Sequence, residues 1–489
     1  MAVSTMVRGL ERALARAALA DDRELAAKVR EEGRRFVFLL NGVMRISRLY
    51  DPENTAFDTP CQETAVVLQK LLELLGTIHI ICVEDQIYLN DIRLRIGPTE
   101  QAMAEGFIME LARHKIGGIS IHGEINAEEI KSLGMTMSRP SADPLHPRDA
   151  LRAQLTSLDR IDMTGTYRFT VGGETEGRKK DVIDTMVRCE GVIQEAMHNL
   201  AAERIPNPLP VRRAVIELLD ALREDASEGL AAPMKRHGGS ASIQHLISVS
   251  SLAMLLGQMI GLPEAAMNDL GMAAMLHDIG SVHRPDWSGH AAAGARILMR
   301  QRGFHEAKIR RLLLVLEHHV PYRKVAESED EEPVETPSLF ARILHIVDDY
   351  DILTAFQPGT APMMSPARAV GSMWSARGTA YDPDLLSLFV QLMGRYPPGS
   401  LIELSDGRWA VSVSGGRDRA HFEKPIIRIV RDTNGAACDA TEVIDLFQEY
   451  ASVQPRLLID QTGANDQMIS SLVDGALRNP LQPDTKMFI

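Results

Sequence analysis

The chain has 489 residues, 45% of them hydrophobic and 24% charged, a globular composition long enough for two to three domains at roughly 150 residues each. Its net charge of -13 disfavours a general nucleic-acid binder, which needs a basic surface. Cys61, Cys82, Cys189 and Cys438 form no CxxC pair, and neither a signal-peptide core nor a run of about 18 uncharged apolar residues stands out, so the expectation is free thiols in a soluble cytoplasmic protein.

In chain order, residues 1 to about 50 carry Leu10, Leu14, Leu19, Leu25, Val29, Phe36, Leu39 and Leu40 among charges, a helical recurrence ended by Asp51-Pro52. A second helix is predicted over 65–75. The Ile/Val-rich runs 77–83, 86–89 and 92–96, broken by Glu84-Asp85 and Asn90-Asp91, read as a small β-meander. Helices over 100–113 and 127–137 flank a strand at 118–121. A turn-rich break over 138–147, a strand and loop over 164–177 and a helix over 181–199 follow. Pro206, Pro208 and Pro210 mark a boundary, beyond which the periodic segments are helical to about 393. After Tyr396-Pro397-Pro398-Gly399, the runs 401–404, 409–413 and 425–430, with turns at Ser405-Asp406-Gly407 and Asn434-Gly435, read as a small β unit. The tail from about 456 is mixed, with partial disorder expected. The division is thus 1–200, 205–395, 396–450 and 451–489, with a sensory or dimerisation role as the default for the first.

The chemistry concentrates in the helical block: nine of the 15 histidines lie from His237 to His345. His245 sits beside the apolar face of a helix over 243–260. His277-Asp278 closes the apolar run 272–276, and His290 opens a helix over 291–298. His318-His319 ends a helix over 309–316, and Asp348 lies on one over 339–354, with Asp351 a turn further on. A histidine beside a carboxylate at a buried helix end is costly unless something binds it, and a divalent metal is the natural occupant. Adjacent helical residues point about 100° apart, so each pair can straddle two ions with a carboxylate bridging. Five imidazoles and two carboxylates without a thiolate suit Fe, Mn, Zn or Co and do not choose among them. His237, His283, His305 and His345 read as ordinary core or surface histidines.

Residues 235–435 resemble the HD-GYP family of the HD superfamily of metal-dependent phosphohydrolases, whose members cleave cyclic di-GMP. The resemblance rests on His245 and the Leu-Ile-Ser-Val after it, Leu276-His277-Asp278-Ile279-Gly280, and His290-Ala-Ala-Ala-Gly294-Ala-Arg-Ile-Leu298. It continues in Glu317-His318-His319, the aspartate helix through Asp348 and Asp351, Tyr381-Asp382-Pro383 and the Tyr396-Pro397-Pro398-Gly399 step. There are departures. Ser281 stands where the family has lysine. Val320-Pro321-Tyr322-Arg323-Lys324 and an acidic run over 327–332 replace the Gly-Tyr-Pro loop. Phe356-Gln357-Pro358-Gly359 replaces an Arg-Pro-Tyr segment, and Ala241 falls where some members have a third-metal glutamate. Arg284, Arg323 and Lys324 are the cations available to restore positive charge near the site.

The resemblance implies a mainly α chain: a helical HD-domain bundle, an N-terminal α+β domain and a small β unit after the bundle. It implies two divalent ions, one held by His245, His277 and Asp348, the other by His290, His318 and His319. Asp278 bridges them and holds the metal-bound hydroxide. The substrate it implies is a nucleotide phosphoester, cyclic di-GMP first, with no DNA, RNA or membrane partner and a homodimer compatible. The competing class is a signalling module that keeps the metal without hydrolysing, which the lost substrate residues favour. The third is a helical scaffold without metal.

Overall fold

The computed structural model describes residues 22–83, 86–90, 92–97, 100–164, 181–202, 204, 206–235, 240–282, 289–300, 306–323, 336–355, 364–416, 420–450, 452–459 and 466–478. The expected helical leader up to 21, most of the strand and loop over 164–177, His237, His283, Arg284, His305, Lys324, the acidic run and residues 356–359 lie outside them. Two compact units emerge. The first comprises Met1–Glu176, Ala196–Pro210 and Arg296–Ile309, the second Gly177–Glu195, Val211–Ala295 and Arg310–Ile489.

In the first unit, α1 (Asp22–Ile46) buries Val29, Phe36, Val37, Leu40, Val43 and Met44, a stripe that packs on α2 (Asp58–Leu75), α3 (Gln101–Arg113) and α4 (Ala127–Ser138). The meander is present as β1 (Ile78–Val83), β2 (Gln86–Leu89) and β3 (Ile92–Arg93). With β4 (Gly118–Ile121) and β5 (Ile161–Thr164) it forms an antiparallel sheet of order β3-β2-β1-β4-β5. Strand β5 starts before the expected 164–177, and a short helix, α5 (Pro147–Gln154), follows the turn-rich break. Asn126 caps α4 with Glu129 closing the box, which explains why that helix begins where the sequence places it.

His122, just past β4, is half-buried beside Asp162, which is itself paired with Arg204. Burial, and then the Arg204 guanidinium, pushes its pKa from 6.5 down to about 4. The fold therefore keeps His122 neutral where the unfolded chain would protonate it. Its contribution is intact above pH 6.5 and falls as pH drops towards 4, by at most about 3 kcal/mol. Denaturant titrations at pH 7 and pH 4.5 are expected to show that loss in the wild type and a flatter response in His122→Gln.

The second unit is helical with a sheet after it. Helix α6 (Val182–Ala201) leads to α7 (Pro208–Glu224), so the proline cluster is a helix start rather than only a break, Pro208 being tolerated in the first turn. A short α8 (Ala226–Leu230) precedes α9 (Ala241–Ile260), which is capped by Gly261 at φ +80°. Helix α9 is long and apolar enough to cross a membrane by length and composition, its polar residues being Gln, His and Ser. In this fold 67% of its most apolar window is buried, among α8, α10 (Glu264–Met275), α13 (Leu339–Thr354) and α15 (Pro383–Met393).

Helices α11 (His290–Arg300), α12 (Glu306–Glu317) and α14 (Pro366–Ser375) also belong to this block. The β unit holds β6 (Leu401–Leu404), β7 (Trp409–Ser412) and β8 (Ile426–Arg431) as expected, and also β9 (Val443–Asp445) and β10 (Pro455–Leu458), in the order β10-β6-β7-β8-β9. A one-turn helix, α16 (Leu446–Glu449), follows β9. The expected tail thus supplies an edge strand and a helix, α17 (Asp466–Arg478), whose Val473, Ala476 and Leu477 pack with Leu401, Val411 and Val430. The chain is mainly α, with a helical HD bundle, an N-terminal α+β unit and a small β unit after the bundle.

Candidate metal centre

All seven residues singled out in the sequence converge in the second unit. Asp278, His290, His318 and His319 bring one ligand atom each within 4.8 Å of one another, and His245, His277 and Asp348 form a second such group. The elements explain the convergence. Helix α10 stops at Met275, so His277 and Asp278 stand in the turn beyond it, not in its last turn, and lead into a 3-10 turn over Ile279–Val282. His290 is the first residue of α11. His318-His319 forms the turn after α12, and Asp348 lies mid-helix in α13. Helix ends leave carbonyls unbonded, and two of these fix imidazoles. His277 Nδ1 donates to Ala274 O and His318 Nδ1 to Val315 O, each at 2.8 Å.

Those two bonds decide what the rings present. A carbonyl only accepts, so the proton sits on Nδ1 and the Nε2 lone pair faces the centre. His245 follows the same pattern, its Nδ1 lying 2.7 Å from Asp351 Oδ2. Its Nε2 is then 3.1 Å from Asp348 Oδ1. Around His290 Nε2, the Nε2 atoms of His318 and His319 both lie at 3.1 Å. Asp278 reaches both groups: Oδ1 is 3.0 Å from His290 Nε2, 3.6 Å from His318 Nε2 and 3.7 Å from His277 Nε2, and Oδ2 is 3.8 Å from His245 Nε2. Asp348 Oδ2 in turn lies 3.8 Å from His319 Nδ1. Among the described residues, His277 Nε2, Asp278 Oδ1 and both carboxylate oxygens of Asp348 are buried without a hydrogen-bond partner. Lone pairs and carboxylate oxygens that face one another without a hydrogen need a cation between them, so the donor set fits a divalent metal.

The electrostatics agree. Burial alone would lower the pKa of His245, but the neighbouring Asp348 and Asp351 carboxylates reverse this and raise it to about 10. Burial opposes ionisation of Asp278 and Asp348 as well, yet the imidazoles hold both carboxyls well below the usual range. His319, half-buried and beside His318, is pushed down to about 3 by desolvation and that neighbour and stays neutral, as a ligand must. A proton on His245 occupies the place a metal would take, so metal loading releases protons.

Three supporting features were not assigned from sequence. Asp351 is fully buried and orients His245, the carboxylate–histidine arrangement common around metals. The signal was its spacing, one helical turn past Asp348. Glu317 Oε2 accepts the Ser338 N–H at 2.9 Å, tying the double-histidine turn to the start of α13. Gly280 packs against the first turn of α11, where a Cβ would lie 1.9 Å from His290 O.

A family model described as HD domain matches residues 242–353. The helical unit contains an HD domain. Both ligand groups lie within the HD-domain match, from His245 to Asp348. HD-domain phosphohydrolases are metal-dependent, and these His/Asp groups could hold metal. Cyclic di-GMP phosphodiesterase PA4108 of Pseudomonas aeruginosa is 27% identical over 190 residues, which is 34% of this chain and 43% of that protein, so the match spans less than half of the relative's length. Among solved structures, Bd1817, a HDG"Y"P protein from Bdellovibrio bacteriovorus, is similar at 14% identity and a TM-score of 0.36, over 65% of this chain and 94% of that one.

Proposed function

We propose that the chain is a phosphohydrolase of HD-GYP type that cleaves cyclic di-GMP, or a related nucleotide phosphodiester, in cytoplasmic bacterial signalling. The observation that supports this reading is the donor set: five imidazoles and two carboxylates aimed at two adjacent points, with lone pairs facing carboxylate oxygens. The HD-domain match supports the phosphohydrolase class, and the likeness to a cyclic di-GMP phosphodiesterase supports the choice of substrate.

His245, His277 and Asp348 would hold one ion, and His290, His318 and His319 the other, with Asp278 shared. Divalent ions there would acidify a water nucleophile and neutralise charge developing on the phosphoryl group. The chain's own part is preorganisation. The Ala274 and Val315 carbonyls and the Asp351 carboxylate fix three rings before substrate arrives, so that their reorganisation is not added to the barrier. Asp278, part exposed at 27% of its side chain, is the ligand that faces incoming water, and its ionised carboxylate orients it.

Ser281, half-buried where the family has lysine, favours a second reading, a module that binds nucleotide and metal without turnover. One assay separates the two. Full-length protein is incubated with a nucleotide panel that includes cyclic di-GMP, with Mn or Fe added and with chelator. Metal-dependent hydrolysis is expected. Cyclic di-GMP binding without hydrolysis would establish the module reading instead, and protein that takes up no metal would overturn both.

A further inference from the structure

The structure assigns His345, Asp349 and Tyr381 a positioning role: they hold the double-histidine turn, and so two of the imidazoles in one ligand group, in place. This rests on the metal-binding reading of that group.

The turn needs support from outside. Helix α12 ends at Glu317, so His318 and His319 stand where the helical ladder has run out, and the turn's own bond is Val320 N–H to Glu317 O at 2.7 Å. The His318 carbonyl is supplied from another helix: His345 Nδ1, on α13, donates to it at 2.9 Å. That bond fixes the peptide between His318 and His319 and thereby the direction of both side chains.

His345 is itself held twice. Its ring lies against that of Tyr381, centroids 5.3 Å apart at 35°, and its Nε2 is 3.8 Å from Asp349 Oδ2. The same Asp349 oxygen accepts a 2.7 Å hydrogen bond from the Tyr381 hydroxyl. Tyr381 belongs to the connector between α14 and α15. Two of that connector's carbonyls, Ala380 O and Thr379 O, accept the N–H groups of Tyr322 and Arg323 at 2.8 Å, just past the double histidine. The connector is anchored to α13 once more, where Arg342 donates to Asp382 at 2.5 Å while Asp382 caps α15. One short segment therefore secures the chain after the histidines directly and the chain at His318 through His345. The Tyr381 hydroxyl bears on the His318 carbonyl through Asp349 and His345, and Asp349 also follows the ligand Asp348 directly along α13.

Metal affinity of the full-length protein, measured by competition with a chromophoric chelator using Mn and Co, tests this without reference to turnover. Outer partners of metal ligands typically contribute about 10–100-fold. His345→Ala is expected to weaken binding within that range and to shift the absorption bands of the Co-loaded protein. His345→Asn keeps an N–H at the position of Nδ1 and is expected to restore most of the affinity. Tyr381→Phe, which removes one oxygen and keeps the ring, is expected to weaken binding in the wild-type background and to add less than that loss in His345→Ala, because the path through the imidazole is already cut. Wild-type affinity and spectra in both His345→Ala and Tyr381→Phe would overturn the inference while leaving the metal reading standing. So would equal, additive losses with no rescue by Asn. A wild-type protein that binds no metal would overturn the metal reading and this inference together. Tyr381→Phe carries the test if His345→Ala does not fold.

Discussion

Replacing Asp278 with alanine is expected to remove turnover by more than about 100-fold, beyond the range of an outer-shell loss, and to lower metal content rather than only slow the chemistry. The reason is its position. One oxygen lies within 3.7 Å of His277, His290 and His318, and the other is 3.8 Å from His245, so both groups share this carboxylate. Without it the group of His290, His318 and His319 has three imidazoles and no carboxylate of its own, with the His318 and His319 Nε2 atoms each 3.1 Å from His290 Nε2. The other group keeps Asp348 and two rings oriented by Asp351 and the Ala274 carbonyl. Metal analysis of the purified variant should therefore show the loss concentrated in one equivalent, with the remainder held by the Asp348 group. Asp278→Asn keeps the shape and removes the charge, so it should fall between alanine and wild type. Hydrolysis by Asp278→Ala at the wild-type rate would sink the enzymatic reading of this site.

The site was legible because its chemistry is written in residue types that are expensive to bury. His277-Asp278 and His318-His319 fall at breaks in apolar helical runs, so their neighbourhood was readable from periodicity. Their placement in turns just past the helix ends was not, because a helix boundary depends on local bonding that composition does not show. The spacing of Asp351, one turn past Asp348, puts it on the same helix face but does not say that its partner is the Nδ1 of a histidine 106 residues away. His345 reads as an ordinary histidine for the same reason: its partner is a backbone carbonyl, which leaves no mark in the sequence.

The fold follows the same division. Helix α4, with its Asn126 and Glu129 capping pair, and the β1–β2 hairpin were predictable from local signals. Strands β9 and β10 were not, being two short edge strands, one of three residues and one that opens with Pro455. They exist because β8 and β6 offer unpaired edges to them. The apolar tail helix α17 needed the sheet face it covers before its role could be seen.

Gly280→Ala should be the most damaging single methyl group in the HD domain. A Cβ there would lie 1.9 Å from His290 O and 2.4 Å from Gly294 N. Both are backbone atoms, which cannot rotate away, so either the turn after His277-Asp278 or the first turn of α11 must move. That contact sets the 3.0 Å separation between Asp278 Oδ1 and His290 Nε2, so the shift reaches the metal group directly. Overpacking a close-packed core typically costs about 1–3 kcal/mol, and a clash with two backbone atoms belongs at the top of that range or above. The expected result is a lowered thermal midpoint together with reduced metal content. Gly371→Ala is the control: it lies within α14 and its Cβ would meet nothing within 4 Å. There the added methyl should stabilise by about 0.5–1 kcal/mol through helix propensity and leave metal content unchanged. If Gly280→Ala melted and bound metal as the wild type does, the close approach of the HD turn to α11 could not be what positions His290.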